Sequence, residues 1–190
     1  IIGGYFGSEN LSWKKLALLL GEGVVAVMPT DTIYGICGSA LNKKTVERIY
    51  KLRKRNLEKP MIILINSFDD LEKFGIVINE KQRRILKKFW PGKASVILEC
   101  ENRKFQYLHR GIKTLAFRLP KKRELRKILE ISGPLVAPSA NWEGNPPAKT
   151  IFEARKYFRN NVVYYDVGKI ISKPSMLIRL ENEKIDIIRK

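Results

Sequence analysis

Three polar segments carry residue types that could do chemistry. In the first, Pro29-Thr30-Asp31-Thr32-Ile33-Tyr34-Gly35, two hydroxyls, a carboxylate and a phenol fall within five residues. Short hydroxyls beside a carboxylate suit a small polar ligand such as an amino acid with its ammonium and hydroxyl. The same residues also cap turns by satisfying backbone groups. The second segment, Arg53-Lys54-Arg55 with Lys59, puts four cations in seven residues. A guanidinium offers a planar fork to phosphate oxygens and an ammonium a point charge; cations also collect at helix C-termini for dipole reasons alone. In the third, Ser139 and Asn141 occupy alternate positions of Pro138-Ser139-Ala140-Asn141, ahead of a loop rich in Gly, Asn and Pro. Alternate residues after a strand point the same way. Their donors and acceptors fit phosphate, ribose or base edges, or an ordinary turn.

Other catalytic patterns are missing. Trp90-Pro91-Gly92-Lys93-Ala94-Ser95 lacks the first glycine of a phosphate-binding loop, and no GxGxxG occurs. His109 is the one histidine and has no metal-ligating neighbour at a useful spacing, so no metal site is expected. Cys37 and Cys100 stand far apart, which argues against a disulfide framework or a zinc site and for two buried small hydrophobes. Any nucleotide chemistry on such a chain would need a different kind of phosphate site.

The elements that position these segments follow from apolar periodicity. Ser12 caps a helix with Leu11, Leu16, Leu19 and Leu20 on its apolar side, ended by Gly21 and Gly23. The unbroken run at 24–28 predicts a buried strand leading into the first polar segment, read as a loop. A helix is expected at 43–54, a strand at 61–65, helices near 68–74 and 79–89, and strands at 94–99 and 114–119. A helix over 121–131 ends at Gly133; a short strand, Pro134-Leu135-Val136-Ala137, runs into the third segment. A helix near 150–158, a strand at 162–166 and a final pair of strands complete the chain. Alternating strands and helices mean an α/β domain, and the loss of βαβ spacing in the second half predicts a mixed sheet. Ligands of open α/β sheets sit beyond strand ends, where the three segments fall.

The 190 residues suit one domain, expected over 12–190 after an irregular lead-in at 1–11. No apolar run reaches membrane-span length and none is followed by a cleavage pattern, so a cytoplasmic protein with no membrane partner is expected. With 37 basic and 19 acidic residues the net charge is +18, a surface that attracts nucleotide phosphates or nucleic acid, or one simply rich in solvated lysine.

Taken in order, PTDTIYG, RKR with a trailing KP, WPG, LAFRLP, APSAN with GNPP, and PSM closely resemble the YrdC-like threonylcarbamoyl-AMP synthase family, from about residue 12 to the C-terminus. The resemblance implies a single YrdC/RibB-like α/β domain whose twisted mixed sheet, flanked by helices, surrounds a deep basic cavity. It implies a nucleotidyltransferase that makes L-threonylcarbamoyl-AMP and pyrophosphate from L-threonine, bicarbonate and ATP, with Mg²⁺. The product serves N6-threonylcarbamoyladenosine modification of ANN-reading tRNAs through a separate transfer complex. By the same resemblance Thr32, Arg118 and Ser175 are threonine-binding. Arg55, Lys59, Thr114, Ser139, Asn141 and Arg189 are ATP-binding, and Arg53 and Arg55 carry the catalytic charge. No covalent nucleophile is required, because positioning and charge neutralisation suffice for attack at phosphorus.

Four positions depart from the family pattern. Arg53 stands where lysine is usual, Asn56 where proline is, Leu64 where some members carry histidine, and Met176 where threonine is usual. The resemblance also implies a standalone form without the extra C-terminal domain of longer members. Two other readings are open at this point. One is a non-catalytic module binding RNA, including double-stranded RNA, with affinity falling steeply in salt. The other is a paralogous carbamoyl-adenylate enzyme with a different acceptor.

Overall fold

The computed structural model describes residues 11–190; the expected lead-in lies outside them except for Leu11. Ser12 accepts a hydrogen bond from the Lys15 amide and starts α1 (Trp13–Gly21) as expected. There follow β1 (Ala26–Pro29), β2 (Tyr34–Ser39), α2 (Lys43–Arg53) and β3 (Ile62–Leu64). A 3-10 segment (Phe68–Phe74) leads to α3 (Glu80–Leu86), β4 (Ala94–Glu99), a second 3-10 turn (Arg103–Phe105) and α4 (Gln106–His109). The chain ends with β5 (Thr114–Arg118), α5 (Arg123–Ser132), β6 (Leu135–Val136), α6 (Ile151–Phe158), β7 (Val163–Tyr164), β8 (Met176–Glu181) and β9 (Lys184–Arg189).

Among the described residues one sheet takes all nine strands, in the order β7-β1-β2-β6-β3-β5-β4-β8-β9. The pairs β1–β7, β3–β5 and β4–β8 are parallel and the rest antiparallel. Mixing is thus present in the first half too, where β1 and β2 form an antiparallel hairpin around the first polar segment. β2 is the strand the sequence reading missed. Gly35 and Gly38 break its apolar pattern, but α2 presses against it there: a Cβ on Gly38 would overlap Thr45 Cγ2 and come within 3.1 Å of Ile49 Cδ1.

Side chains alternate between two apolar layers. Val27, Ile63, Val136 and Phe117 join a large layer with Val46, Ile49 and Tyr50 of α2, Phe74, and Ile151 and Phe158 of α6. Ala26, Met28, Cys37, Leu64 and Leu135 meet Leu16 and Leu20 of α1 and Leu125, Ile128 and Leu129 of α5 on the opposite face. Both cysteines are free and buried. Among the described residues no helix is long and apolar enough to cross a membrane.

Candidate functional site

The β1–β2 turn is stapled by Thr30. Its hydroxyl donates to the Ile33 carbonyl at 2.7 Å and accepts from the Thr32 amide at 3.2 Å. Thr32 then sits with its hydroxyl 3.1 Å from that of Thr30, lining a cavity. The turn-capping reading of this segment thus applies to Thr30, while both threonines line the cavity. Tyr34 is a brace: its buried phenol donates to the Gly168 carbonyl at 2.7 Å, lies 3.1 Å from Asp166 Oδ1, and accepts from the Val167 amide at 3.1 Å. Burial pushes its pKa up to about 12.

Arg53, the last residue of α2, reaches 86 residues along the chain. Its Nε donates to the Ser139 carbonyl at 2.9 Å and the Asn141 carbonyl at 3.2 Å; Nη2 donates to Ser139 Oγ and Asn141 Oδ1 at 3.2 and 3.3 Å. Nη1 is buried with no hydrogen-bond partner among the described residues. A buried guanidinium proton without an acceptor is costly, so this donor is poised for a ligand oxygen. Burial, with Arg55 close by, lowers the Arg53 pKa to about 10, partly offset by Glu143, and it stays charged at neutral pH. Arg55 folds over its own loop, Nε on the Lys59 carbonyl at 2.9 Å and Nη2 on the Pro60 carbonyl at 2.8 Å.

Arg118 lies at the end of β5 with its side chain 3% exposed, 2.9 Å from Asp31 Oδ1. The alignment falls short of a hydrogen bond, since both Asp31 oxygens and Arg118 Nε lack one. Burial lowers the pKa of Arg118 and the Asp31 carboxylate opposes the shift. Ser175 is buried and shares a hydrogen bond with Ser95 of β4 at 2.9 Å. The Ser175 carbonyl accepts twice from Arg189 of β9, at 3.1 and 2.8 Å.

These parts enclose one cavity of about 180 Å³, lined by Thr32, Arg53, Arg55, Arg118, Ser139, Ser175 and Arg189 among others. Seven of the expected site residues thus converge. Three do not line it. Lys59 is turned away to Glu143, with Nζ and Oε1 2.8 Å apart. Asn141 spends its amide protons on the Trp142 and Asn145 carbonyls, at 2.7 and 2.8 Å. Thr114 opens β5, two strand repeats before Arg118 and on the same face, roughly 13 Å away at about 3.3 Å per residue.

The cavity rests on a sheet face and not only beyond strand ends. Gly35, Ile62, Arg118 and Ala137 all line it, and alternation puts them on the face that α1 and α5 cover elsewhere. Pro60, Pro138, Pro147 and Pro174 form further wall, four of the chain's nine prolines, with Pro138 and Pro147 from the same expected loop. Fixed backbone at these points lowers the entropy cost of holding the site open. Sequence reasoning missed Asp31 as the counter-charge of Arg118 and Glu143 as the partner of Lys59. For Asp31 the signal was an acid between two threonines; for Glu143, a lone acid in a loop opposite a cationic one. No group of three or more His, Cys, Asp or Glu able to hold a metal occurs among the described residues.

Comparison with known proteins follows the same residues. The Sua5–YciO–YrdC family model, described as telomere recombination, matches residues 18–190. A Methanocaldococcus jannaschii protein, provisionally named a threonylcarbamoyl-AMP synthase, is 32% identical over 182 residues, covering 95% of this chain and 84% of its own length. The threonylcarbamoyl-AMP synthase of Pyrococcus abyssi is 32% identical over 183 residues, but the chain spans only 52% of that protein. The crystal structure of P. abyssi Sua5 complexed with L-threonine superposes with a TM-score of 0.84 at 30% identity, over 95% of this chain and 55% of that one.

Proposed function

The chain belongs to the Sua5–YciO–YrdC family, and from that premise we propose that it is a nucleotidyltransferase forming L-threonylcarbamoyl-AMP and pyrophosphate from L-threonine, bicarbonate and ATP. The observation that carries the reading is the convergence of Arg53, Arg55, Arg118 and Arg189, from three separate parts of the chain, on one hollow also lined by Thr32 and Ser175. A relative bound to L-threonine supports the amino-acid half, and the relatives' names support the product.

Threonine's amino nitrogen attacks bicarbonate carbon and water leaves, giving a carbamate. A carbamate oxygen then bonds to the α-phosphorus of ATP as the bond to pyrophosphate breaks. Both reactants are anions, so the site must cancel repulsion and align them. Arg118 takes the threonine carboxylate beside Thr32 and Ser175. Arg53, through its unpartnered Nη1, and Arg55 meet the phosphates. A volume of about 180 Å³ is below the ~300–1,000 Å³ common for small-molecule sites. It suits threonine with the reacting phosphate, leaving the rest of the nucleotide along the rim towards Thr114, Lys59 and Asn141.

The cavity lining holds hydroxyls and guanidiniums but no carboxylate, so Mg²⁺ enters as the counter-ion of ATP and not in a protein cage. The product passes to a transfer complex acting on tRNA in the cytoplasm, and the net charge of +18 favours direct contact with RNA during the handover.

The test is Arg55→Ala. Pyrophosphate release dependent on both threonine and bicarbonate drops by about 100-fold or more, the scale of losing a transition-state charge contact, while the melting temperature holds. Near-normal turnover in this variant would show that the phosphates bind elsewhere.

A further inference from the structure

The loop between α2 and β3 is held by an acid to which the reaction above gives no part. The Glu143 carboxylate accepts a hydrogen bond from the Asn56 amide through Oε2 and another from the Lys59 ammonium through Oε1, the latter at 2.8 Å. A backbone N–H and an ammonium converging on one pair of oxygens is a donor set that grips phosphate. These two contacts hold the Glu143 carboxyl below the usual carboxylate range. Arg53 and Arg55, which line the cavity, are within electrostatic reach of the same carboxylate.

The pair is built to open. The side chains of Lys59 and Glu143 are 60% and 24% exposed, so parting them buries no charge. The backbone around Glu143 is fixed independently, its amide donating to the Arg53 carbonyl at 2.9 Å. Lys54 packs over the Trp142 ring at 3.5 Å, which joins the two loops by a contact that needs no carboxylate. The acid can therefore swing away while both loops stay in place.

Resting on the nucleotide reading, we infer that Glu143 is an internal stand-in for phosphate: its carboxylate fills the anion subsite formed by the Asn56 N–H and the Lys59 ammonium until the pyrophosphate end of ATP displaces it. In the absence of nucleotide the carboxylate cancels one of the charges crowded around Arg53 and Arg55. A singly charged anion gains little by exchanging with it, whereas a polyphosphate does, because its further charges meet the arginines. The subsite thereby selects for polyanions.

The test is calorimetric titration of the full chain with pyrophosphate and, separately, with ATP, at fixed ionic strength. Glu143→Gln keeps an acceptor for the Asn56 amide and removes the charge. Both ligands then bind tighter by about two- to fivefold, the range of an exposed ion pair, and the melting temperature does not fall. Lys59→Ala costs more affinity in the Glu143→Gln background than in the native chain, since the lysine no longer has a pair to break. A brace would behave in the opposite way, with weaker binding and a lower melting temperature. Equal or weaker affinity in Glu143→Gln overturns the stand-in. If the native chain binds both ligands and Arg55→Ala abolishes this, the nucleotide reading survives that result. If the native chain binds neither, reading and stand-in fail together.

Discussion

Asp31→Ala would leave the Arg118 guanidinium buried, 3% exposed, without the carboxylate that stands 2.9 Å away. Breaking a buried pair by removing one partner costs ~3–5 kcal/mol, because the remaining charge is uncompensated. The Asp31 oxygens and Arg118 Nε make no hydrogen bonds, so the interaction is mainly coulombic and the lower end, ~3 kcal/mol, applies. For a domain of this size each kcal/mol moves the melting temperature by about 2–4 °C, giving a drop of ~6–12 °C. Asp31→Asn, which keeps a dipole facing the cation, falls by less. The assay is thermal unfolding with and without L-threonine. A threonine carboxylate supplies the missing negative charge, so saturating threonine raises the melting temperature of Asp31→Ala by more than that of the native chain, as linkage requires for a ligand held more tightly by the folded state. An Asp31→Ala protein melting within about 2 °C of the native one would refute the argument that this carboxylate holds the cation in place. A threonine shift no larger than the native shift would refute the claim that Arg118 receives the amino acid.

Two further outcomes are expected. Asn141→Ala loses an acceptor for Arg53 and the donor to the Trp142 and Asn145 carbonyls, so it lowers both stability and ATP affinity, by ~1–3 kcal/mol for the unsatisfied groups. Weaker ATP binding by calorimetry at an unchanged melting temperature would instead mean direct contact with the nucleotide. Burial raises the Cys37 pKa to about 12, so at pH 8 about one molecule in 10⁴ carries the thiolate, and iodoacetamide labels Cys37 only after unfolding in urea. Rapid stoichiometric labelling of the native protein would contradict that burial.

The parts of the fold legible in the sequence were those with a clean period. The helix capped by Ser12, the helix at 43–53 and the final hairpin stand within a few residues of their expected places. β2 escaped because Gly35, set close to Thr30 and Pro138, and Gly38, which lets Thr45 and Ile49 approach, dilute the apolar signal a strand needs. The segment at 68–74 forms, but as a 3-10 turn capped through Ser67 and Asp70. Residue type and order pointed to seven residues that line the cavity and to Lys59, Thr114 and Asn141, which do not. Their partners could not be read the same way. That Arg118 faces Asp31 and Lys59 faces Glu143 depends on pairings 87 and 84 residues apart, which only the sheet order brings about.

The sheet order also explains why an arginine stands in a strand that otherwise reads as buried. Leu115 and Phe117 of β5 belong to the large apolar layer, and the alternate positions Thr114, Ala116 and Arg118 face the other way. On β4, Val96 and Leu98 join the same layer while Ser95 turns to Ser175. On β9, Arg189 pairs with Leu177, two residues beyond Ser175, and donates to the Ser175 carbonyl. α1 and α5 cover this second face over β1, β2, β3 and β6, and on β5 and β4 the same face carries Arg118 and Ser95. A strand that needed apolar residues on both faces would have no room for Arg118. Strands packed on one face give a rigid floor on the other, from which a buried cation can meet a carboxylate, and the loops carrying Arg53, Arg55 and Ser139 supply the wall. Turning Ser95 and Arg118 away from the large apolar layer is what brings them to the same side of the sheet.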